Sequence, residues 1–288
     1  MDLQLAQQAL TQFSDVESAE RELLAHPQVD CPVVHHFGPG ICIREVFMPA
    51  GTIAIGHRQK FDQLNIMIRG KVLIAKDDGT TQILAAPMIF TGKAGRKIGY
   101  VMEDMVWQNV YATDLKDANA VEDFFIEKSE QWHDDQASRF AFESVARAAD
   151  RNDYMLLLEE CGIPHSQARQ QSEDESDQIW VDNSITRVAE SPIEGKGLYA
   201  TTAIQQGQLI CPARIGGKRT QAGRYTNHSL FPNAMMILLP NNDIDLVALT
   251  DIEGCKGGSM GTEITIDYRQ ALLLSGIEFK QKESPCLV

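Results

Sequence analysis

The feature that most limits how this chain can fold is a string of short β-prone runs between Cys31 and Ile126, with no helix-length stretch separating them. ICIREVFM, TIAIG, QLNIMIRG, KVLIAKDDGTTQIL, PMIFTG, IGYVM and VWQNVYATD are rich in Ile, Val, Phe and Tyr, side chains that suit a pleated, half-buried surface. Parallel neighbours would need crossovers of a dozen or more residues, and none fits between these runs. The pattern therefore predicts an antiparallel barrel or sandwich. Asp77-Asp78-Gly79 predicts a hairpin turn joining Leu73-Ile74 to Gln82-Ile83-Leu84, because glycine accepts positive φ without penalty.

The flanks read differently. In residues 1–30, Leu3, Leu5, Ala6, Leu10 and Phe13 recur at helical spacing, and a second helical turn follows through Arg21 and Leu24. The β segment takes 31–128. Residues 129–178 form a helical connector and an acidic linker. Asn152-Asp153 is expected to cap a helix from Tyr154 to Cys161, which Gly162 and Pro164 stop. Gln167–Gln178 (QARQQSEDESDQ) has no apolar periodicity and is expected to be an exposed linker. Residues 179–288 make a last domain, so the fold class is mainly β with a short helical connector.

Composition narrows the function classes. The 288 residues carry 40 acids against 26 bases, a formal charge of −14 that repels nucleic acid and attracts basic partners. No apolar run approaches the roughly 18 residues that a membrane helix needs. The acidic N-terminus does not resemble a signal peptide. Six cysteines are scattered singly, with no CxxC pair, which predicts reduced thiols and neither a zinc site nor a disulfide framework. A cytoplasmic protein without membrane or nucleic-acid partners is expected.

Within the β segment, MPAGTIAIGHRQKFDQLNIMIRGKV sets Gly51, His57 and Gly70 at the spacing of a recognisable box. This resembles the first box of cupins, and implies a cupin-like antiparallel β-barrel. The second histidine of that box is replaced by Gln59 and its glutamate by Gln63, and PMIFTGKAGRKIGYVMED supplies no histidine for a second box. One imidazole with two neutral amides is a poor set for a divalent metal, so no metal is expected. His57 is instead expected to be a hydrogen-bonded residue of the barrel mouth. His35 and His36 should point to opposite faces of a strand. The segment also looks like small cupin-like proteins encoded by tailed bacteriophages. Without metal ligands the barrel is expected to serve binding, assembly or scaffolding, and the cupin resemblance implies a homo-oligomer formed through it as one option.

Further on, EGKGLYATTAIQQGQLI, GRYTNHSLFPNAMM and GTEITIDYR follow one another within about 80 residues. In this order they resemble the three motifs of SET domains, the fold of S-adenosylmethionine-dependent protein-lysine methyltransferases. The resemblance implies a compact C-terminal SET domain with S-adenosylmethionine as cofactor and a protein bearing an accessible lysine as partner. It implies that Gly195, Lys196, Gly197, Arg224, Asn227 and His228 bind the cofactor. It makes Tyr268 the leading catalytic residue, with Tyr225 next and Tyr199 beside it. Independently of the resemblance, Gly195 and Gly197 lack Cβ atoms and let a backbone approach a ligand closely. Pro232-Asn233 is implied to form the turn that the C-terminal strand crosses.

The chain also departs from the SET pattern. Only 23 residues separate Ala200 from Arg224, so the inserted subdomain of larger enzymes is missing. Leu230 replaces a frequent cysteine, Thr262 replaces the first acid of the third motif while Glu263 keeps the second, and Cys286 stands alone in the tail. Two functions fit: a protein-lysine N-methyltransferase with a metal-free cupin-like accessory domain, or a catalytically inactive assembly protein, such as a phage virion component, that keeps both folds.

Overall fold

A computed structural model describes residues 3–13, 15–76, 80–181, 183–274 and 276. The fold is mainly β and divides into two compact units. The turn expected at Asp77-Asp78-Gly79 and the lone Cys286 lie outside the described residues.

The N-terminal unit gathers residues 1–140 with 201–203 and 254–261. It contains α1 (Leu3–Thr11), α2 (Val16–Leu24), β1 (Val33–Gly38), β2 (Ile41–Met48), β3 (Ile53–Ile55), β4 (Arg58–Gln59), β5 (Gln63–Ala75), β6 (Thr81–Ala85), β7 (Met88–Gly92), β8 (Ile98–Ala112), α3 (Ala118–Phe125) and β9 (Ile126–Glu127). Helix α4 (Glu130–Ala146) begins there. Every ladder is antiparallel, and β1-β2-β8-β5-β6 form one sheet in which β3 adds to β8 and β7 to β5. The two longest strands carry it. Runs that read as separate in the sequence, QLNIMIRG with KVLIA and IGYVM with VWQNVYA, are continuous in β5 and β8.

Gly70 explains the first fusion. It sits at φ +92° where the β5–β8 register shifts, and a Cβ there would lie 2.4 Å from the Asp104 carbonyl oxygen. The strand bends at this bulge instead of ending. Period-2 alternation then sets the inner face: His35 is buried while His36 turns outward. Met67, Val72, Leu84, Val101 and Met105 pack as one cluster. Ala6 and Leu10 of α1 and Ala19 of α2 cover Leu73, Ile98 and Tyr100.

The C-terminal unit takes residues 141–200, 204–253 and 262–288. Its elements are α5 (Ala148–Cys161), α6 (His165–Glu173), β10 (Thr186–Glu190), β11 (Lys196–Ala200), β12 (Leu209–Ile215), β13 (Lys218–Arg219), α7 (Gln221–Tyr225), β14 (Asn227–His228), β15 (Ala234–Leu238), β16 (Ile244–Ala248), β17 (Glu263–Ile266) and α8 (Tyr268–Leu274). Two four-stranded sheets, β10-β11-β17-β14 and β13-β12-β16-β15, share a core that includes Leu198, Ile210, Leu246, Ile264 and Ile266. All four residues of β17 are buried. The β14–β17 pair is parallel, setting Asn227 beside Thr265 and His228 beside Ile266.

Two expectations for the connector are corrected. Helix α5 starts at Ala148, about a turn before Asn152-Asp153, and this pair is interior to it. The helix does end at Gly162, which takes φ +68°. The acidic stretch is also not simply an exposed linker: its first half is α6, and its second half carries Asp177, whose carboxylate pairs with Arg219 and Arg224. Among the described residues no helix is long and apolar enough to cross a membrane.

Candidate functional site

The C-terminal unit brings several separate segments together around β14 and β17. The turn before β11 is positioned by Asn227, whose side-chain amide donates to the carbonyls of Glu194 (3.0 Å) and Lys196 (3.1 Å) and to Glu263 Oε1 (3.0 Å). Glu263, at the start of β17, is 4% exposed and also accepts from Ser191 Oγ at 2.7 Å. The Tyr199 hydroxyl lies 3.4 Å from its other oxygen and 2.8 Å from the Glu190 carbonyl. Burial raises the Glu263 carboxyl above the ordinary range, against the hydrogen bonds that would lower it. Gly197 is required by this packing, because a Cβ there would stand 2.3 Å from Glu263 Oε1. Gly195 is different. At φ +51° its outward face meets nothing within 4 Å.

Helix α5 supports the other side. Asp150 Oδ1 accepts from Ser229 Oγ (3.0 Å) and from the Leu230 amide (2.8 Å). One turn on, Asp153 accepts from His228 Nε2 at 2.8 Å and from Arg269 Nη1 at 2.5 Å. The Tyr268 amide donates to His228 Nδ1 at 3.1 Å, which leaves Nε2 as the ring nitrogen that donates to Asp153. The Arg269 guanidinium, followed by His228, holds the Asp153 carboxyl below the usual carboxylate range.

Tyr268 opens α8, and its hydroxyl donates to the Thr226 carbonyl at 3.1 Å. Its ring lies 5.4 Å from His228 and 5.9 Å from Tyr154. Burial pushes the phenol far above its ordinary value, so it stays protonated. Asn233 is held against β17: its amide donates to the Glu263 carbonyl (2.8 Å) and its oxygen accepts from the Thr265 amide (2.8 Å).

Gly195, Lys196, Gly197, Asn227, His228 and Tyr268 thus share one neighbourhood. Tyr225 adjoins it through its ring, with Lys196 Nζ 5.7 Å from the centroid, while its hydroxyl donates to Glu175. Arg224 faces elsewhere. It donates to the carbonyls of Gln171 and Ser172 in the last turn of α6 and to Asp177, a cation at a helix C-terminus. Asp150, Asp153, Tyr154 and Ser191 carry no motif and were not legible as site residues. The spacing of Asp150 and Asp153, three apart and therefore on one helix face, was the one available signal.

The N-terminal unit holds a second candidate, a cavity of ≈ 250 Å³ lined by residues of its sheet, of α2 and of the 257–258 turn. His57, Gln59 and Gln63 all line it. His57 is not the hydrogen-bonded residue expected: its buried Nδ1 has no partner among the described residues, and the ring packs edge-on to Trp132 at 4.8 Å. Burial and then the Arg44 charge push its pKa down to about 3, so the imidazole is neutral. Among the described residues, no group of three or more His, Cys, Asp or Glu side chains is arranged to hold a metal ion.

Comparison with known proteins finds no matching family model and no matching curated protein. Similar solved structures include a cupin-2 domain protein from Shewanella frigidimarina (14% identity, 33% of this chain and 92% of that one, TM-score 0.25). A cupin domain from Bordetella pertussis matches at 15% identity over 31% of this chain and 98% of its own, TM-score 0.26. An RmlC-like cupin family protein with a double-stranded β-helix fold from Methanocaldococcus jannaschii matches at 15% over 28% and 79%, TM-score 0.25.

Proposed function

We propose that the C-terminal unit is an S-adenosylmethionine-dependent protein-lysine N-methyltransferase of SET type, joined to a metal-free cupin-like accessory domain. The observation that carries this reading is the parallel β14–β17 pairing, which gathers the 195–197 turn, Asn227-His228 and Tyr268 from three distant segments. The cofactor would bring an electrophilic methyl group on a sulfonium. This chain fits it through main chain at Gly195, whose outward face is open. Lys196 follows it in the same turn, and Asn227, next to His228, bonds that turn's carbonyls. Asn227 acts by holding the turn in shape, its amide hydrogens being used by Glu194, Lys196 and Glu263. Arg224 would contribute at a distance, by fixing α6.

A lysine amine must be neutral and aligned to attack. Tyr268 suits that role, because its proton is committed to the Thr226 carbonyl, leaving oxygen lone pairs to accept from the amine and orient it. The high phenol pKa keeps it from competing for the amine's proton. The net charge of −14 favours basic protein partners. Host cytoplasm, or a virion if the chain is phage-encoded, belongs to the same proposal.

The rival reading is an inactive assembly protein of phage type. It is favoured by the same Asn227 contacts, since an amide saturated by the chain's own groups serves stability alone. Calorimetric titration with S-adenosylmethionine, followed by transfer of a labelled methyl group to lysine-rich proteins, separates the two. Micromolar binding that is lost in Asn227→Ala, with label appearing on lysine, is expected. Absence of binding at millimolar cofactor refutes the enzyme and leaves assembly.

A further inference from the structure

The cavity of the N-terminal unit has a chemistry of its own, separate from methyl transfer. Inward-facing residues of three adjacent strands form rows across the sheet. Arg44 of β2 pairs with Asn109 of β8, which pairs with Asn65 of β5. The next row is Val46, Trp107 and Met67, and beyond it Met48 pairs with Met105. A polar row therefore borders an apolar floor, on the wall of one cavity.

The charge in that row is under-compensated. Arg44 is 9% exposed, and its Nε donates to Glu122 at 3.0 Å. Its terminal nitrogens make no hydrogen bond among the described residues. Glu122 cannot neutralise Arg44 alone, because its other oxygen serves Lys128 Nζ at 3.1 Å. Among the described lining residues the one acid is Glu20, which Arg96 already holds. In a chain of net charge −14 this cavity is locally positive.

Two neutral groups add recognition. Gln63 is 8% exposed, lines the cavity, and its buried Oε1 has no partner among the described residues. Leaving such a group unpaired is costly unless a ligand completes it. Asn109 donates to Asn65 at 2.8 Å, and its own oxygen makes no hydrogen bond among the described residues.

We propose that this cavity binds a small monocarboxylic acid with an apolar body and a hydroxyl or N–H group. Its carboxylate lies in the open fork of Arg44, its donor on Gln63, and its apolar part between Trp107, Met105 and Trp132. A guanidinium fork matches a planar carboxylate in a two-point contact, and a single guanidinium already sharing Glu122 suits a monoanion better than a phosphate dianion. The volume lies just below the roughly 300–1000 Å³ of drug-sized ligand pockets, so the acid is small. This site is independent of the methyl-transfer reading.

The test uses the full chain and tryptophan fluorescence, since Trp107 and Trp132 line the cavity and Trp180 is 59% exposed and outside its lining. Lactate, 2-hydroxyisovalerate and mandelate are titrated, each beside its primary amide. At least one acid should saturate below about 1 mM, with its amide bound at least about 20-fold more weakly. Arg44→Gln should abolish the response. Should that variant fail to fold, Asn109→Asp, which sets a carboxylate beside Arg44, should weaken binding at least about 20-fold while the far-ultraviolet spectrum is retained. The proposal is overturned by no saturation with any acid at about 10 mM, by amides binding as well as acids, or by undiminished binding in folded Asn109→Asp.

Discussion

Replacing Asp153 by alanine isolates what α5 contributes to the C-terminal unit. The carboxylate accepts from a His228 that is 1% exposed and from Arg269, whose side chain is 31% exposed. Stranding the buried imidazole N–H costs about 1–3 kcal/mol. The half-screened Arg269 pair adds up to about 1 kcal/mol. A loss of about 2–3 kcal/mol is expected, read as faster hydrogen exchange at the Ser229 amide, which bonds the Ile266 carbonyl at 3.0 Å. At about 1.36 kcal/mol per decade, protection should drop about 30- to 150-fold at pH 7. Asp153→Asn, which keeps an acceptor for His228 but loses the charge, should lose about half as much.

The pH dependence gives the sharper check. Asp153 has a lowered pKa in the folded state, so its stabilisation is complete above the unfolded carboxylate value near about 3.9. It is lost as pH falls through the lower folded value. The gap between wild type and Asp153→Ala must therefore shrink on acidification below about pH 4. A gap under about 0.5 kcal/mol at pH 7, or one that widens in acid, would show that Asp153 is not what stabilises this packing.

Three further outcomes can be measured. On the methyl-transfer proposal, Tyr268→Phe should lower transfer about 100-fold while S-adenosylmethionine affinity stays within about threefold, measured by single turnover and calorimetry. Gly70→Ala should cost at least about 2 kcal/mol in urea unfolding, since its Cβ meets the Asp104 carbonyl at 2.4 Å and its φ is +92°. His57, with its pKa pushed to about 3, should show no titration in its ring proton resonances between about pH 8 and 5. Because the unfolded imidazole binds a proton below about pH 6.5, stability from keeping His57 neutral is full above that value and falls as pH drops toward 3, which His57→Phe should abolish.

The β architecture was legible because β-branched and aromatic runs too close for crossovers leave antiparallel pairing as the available arrangement. Strand continuity was harder to read. A glycine after an apolar run signals both a strand end and a bulge, and only the neighbouring Asp104 backbone decides for Gly70. Asn152-Asp153 failed as a helix start because capping chemistry competes with tertiary pairing: Asp153 serves His228, 75 residues away. The acidic stretch failed likewise, since Asp177 finds Arg219 and Arg224 at a separation no local pattern encodes. For the cavity, the sequence showed which metal ligands were replaced. The positive Arg44 row became visible only with the register of three strands.

The composition of the N-terminal unit has a consequence for biosynthesis. It takes in residues 254–261, so 121 residues (140 to 261) must emerge after its main segment before that unit is complete. At ribosomal rates of about 5–20 residues per second, this is a wait of roughly 6–24 s. During that interval the cavity wall formed by Gly257 and Gly258 does not yet exist, and the Cys31 amide has no Cys255 carbonyl to bond. A nascent chain stalled before residue 254 would thus lack part of its cavity lining, and the last residues of the N-terminal unit to be made are encoded inside its neighbour.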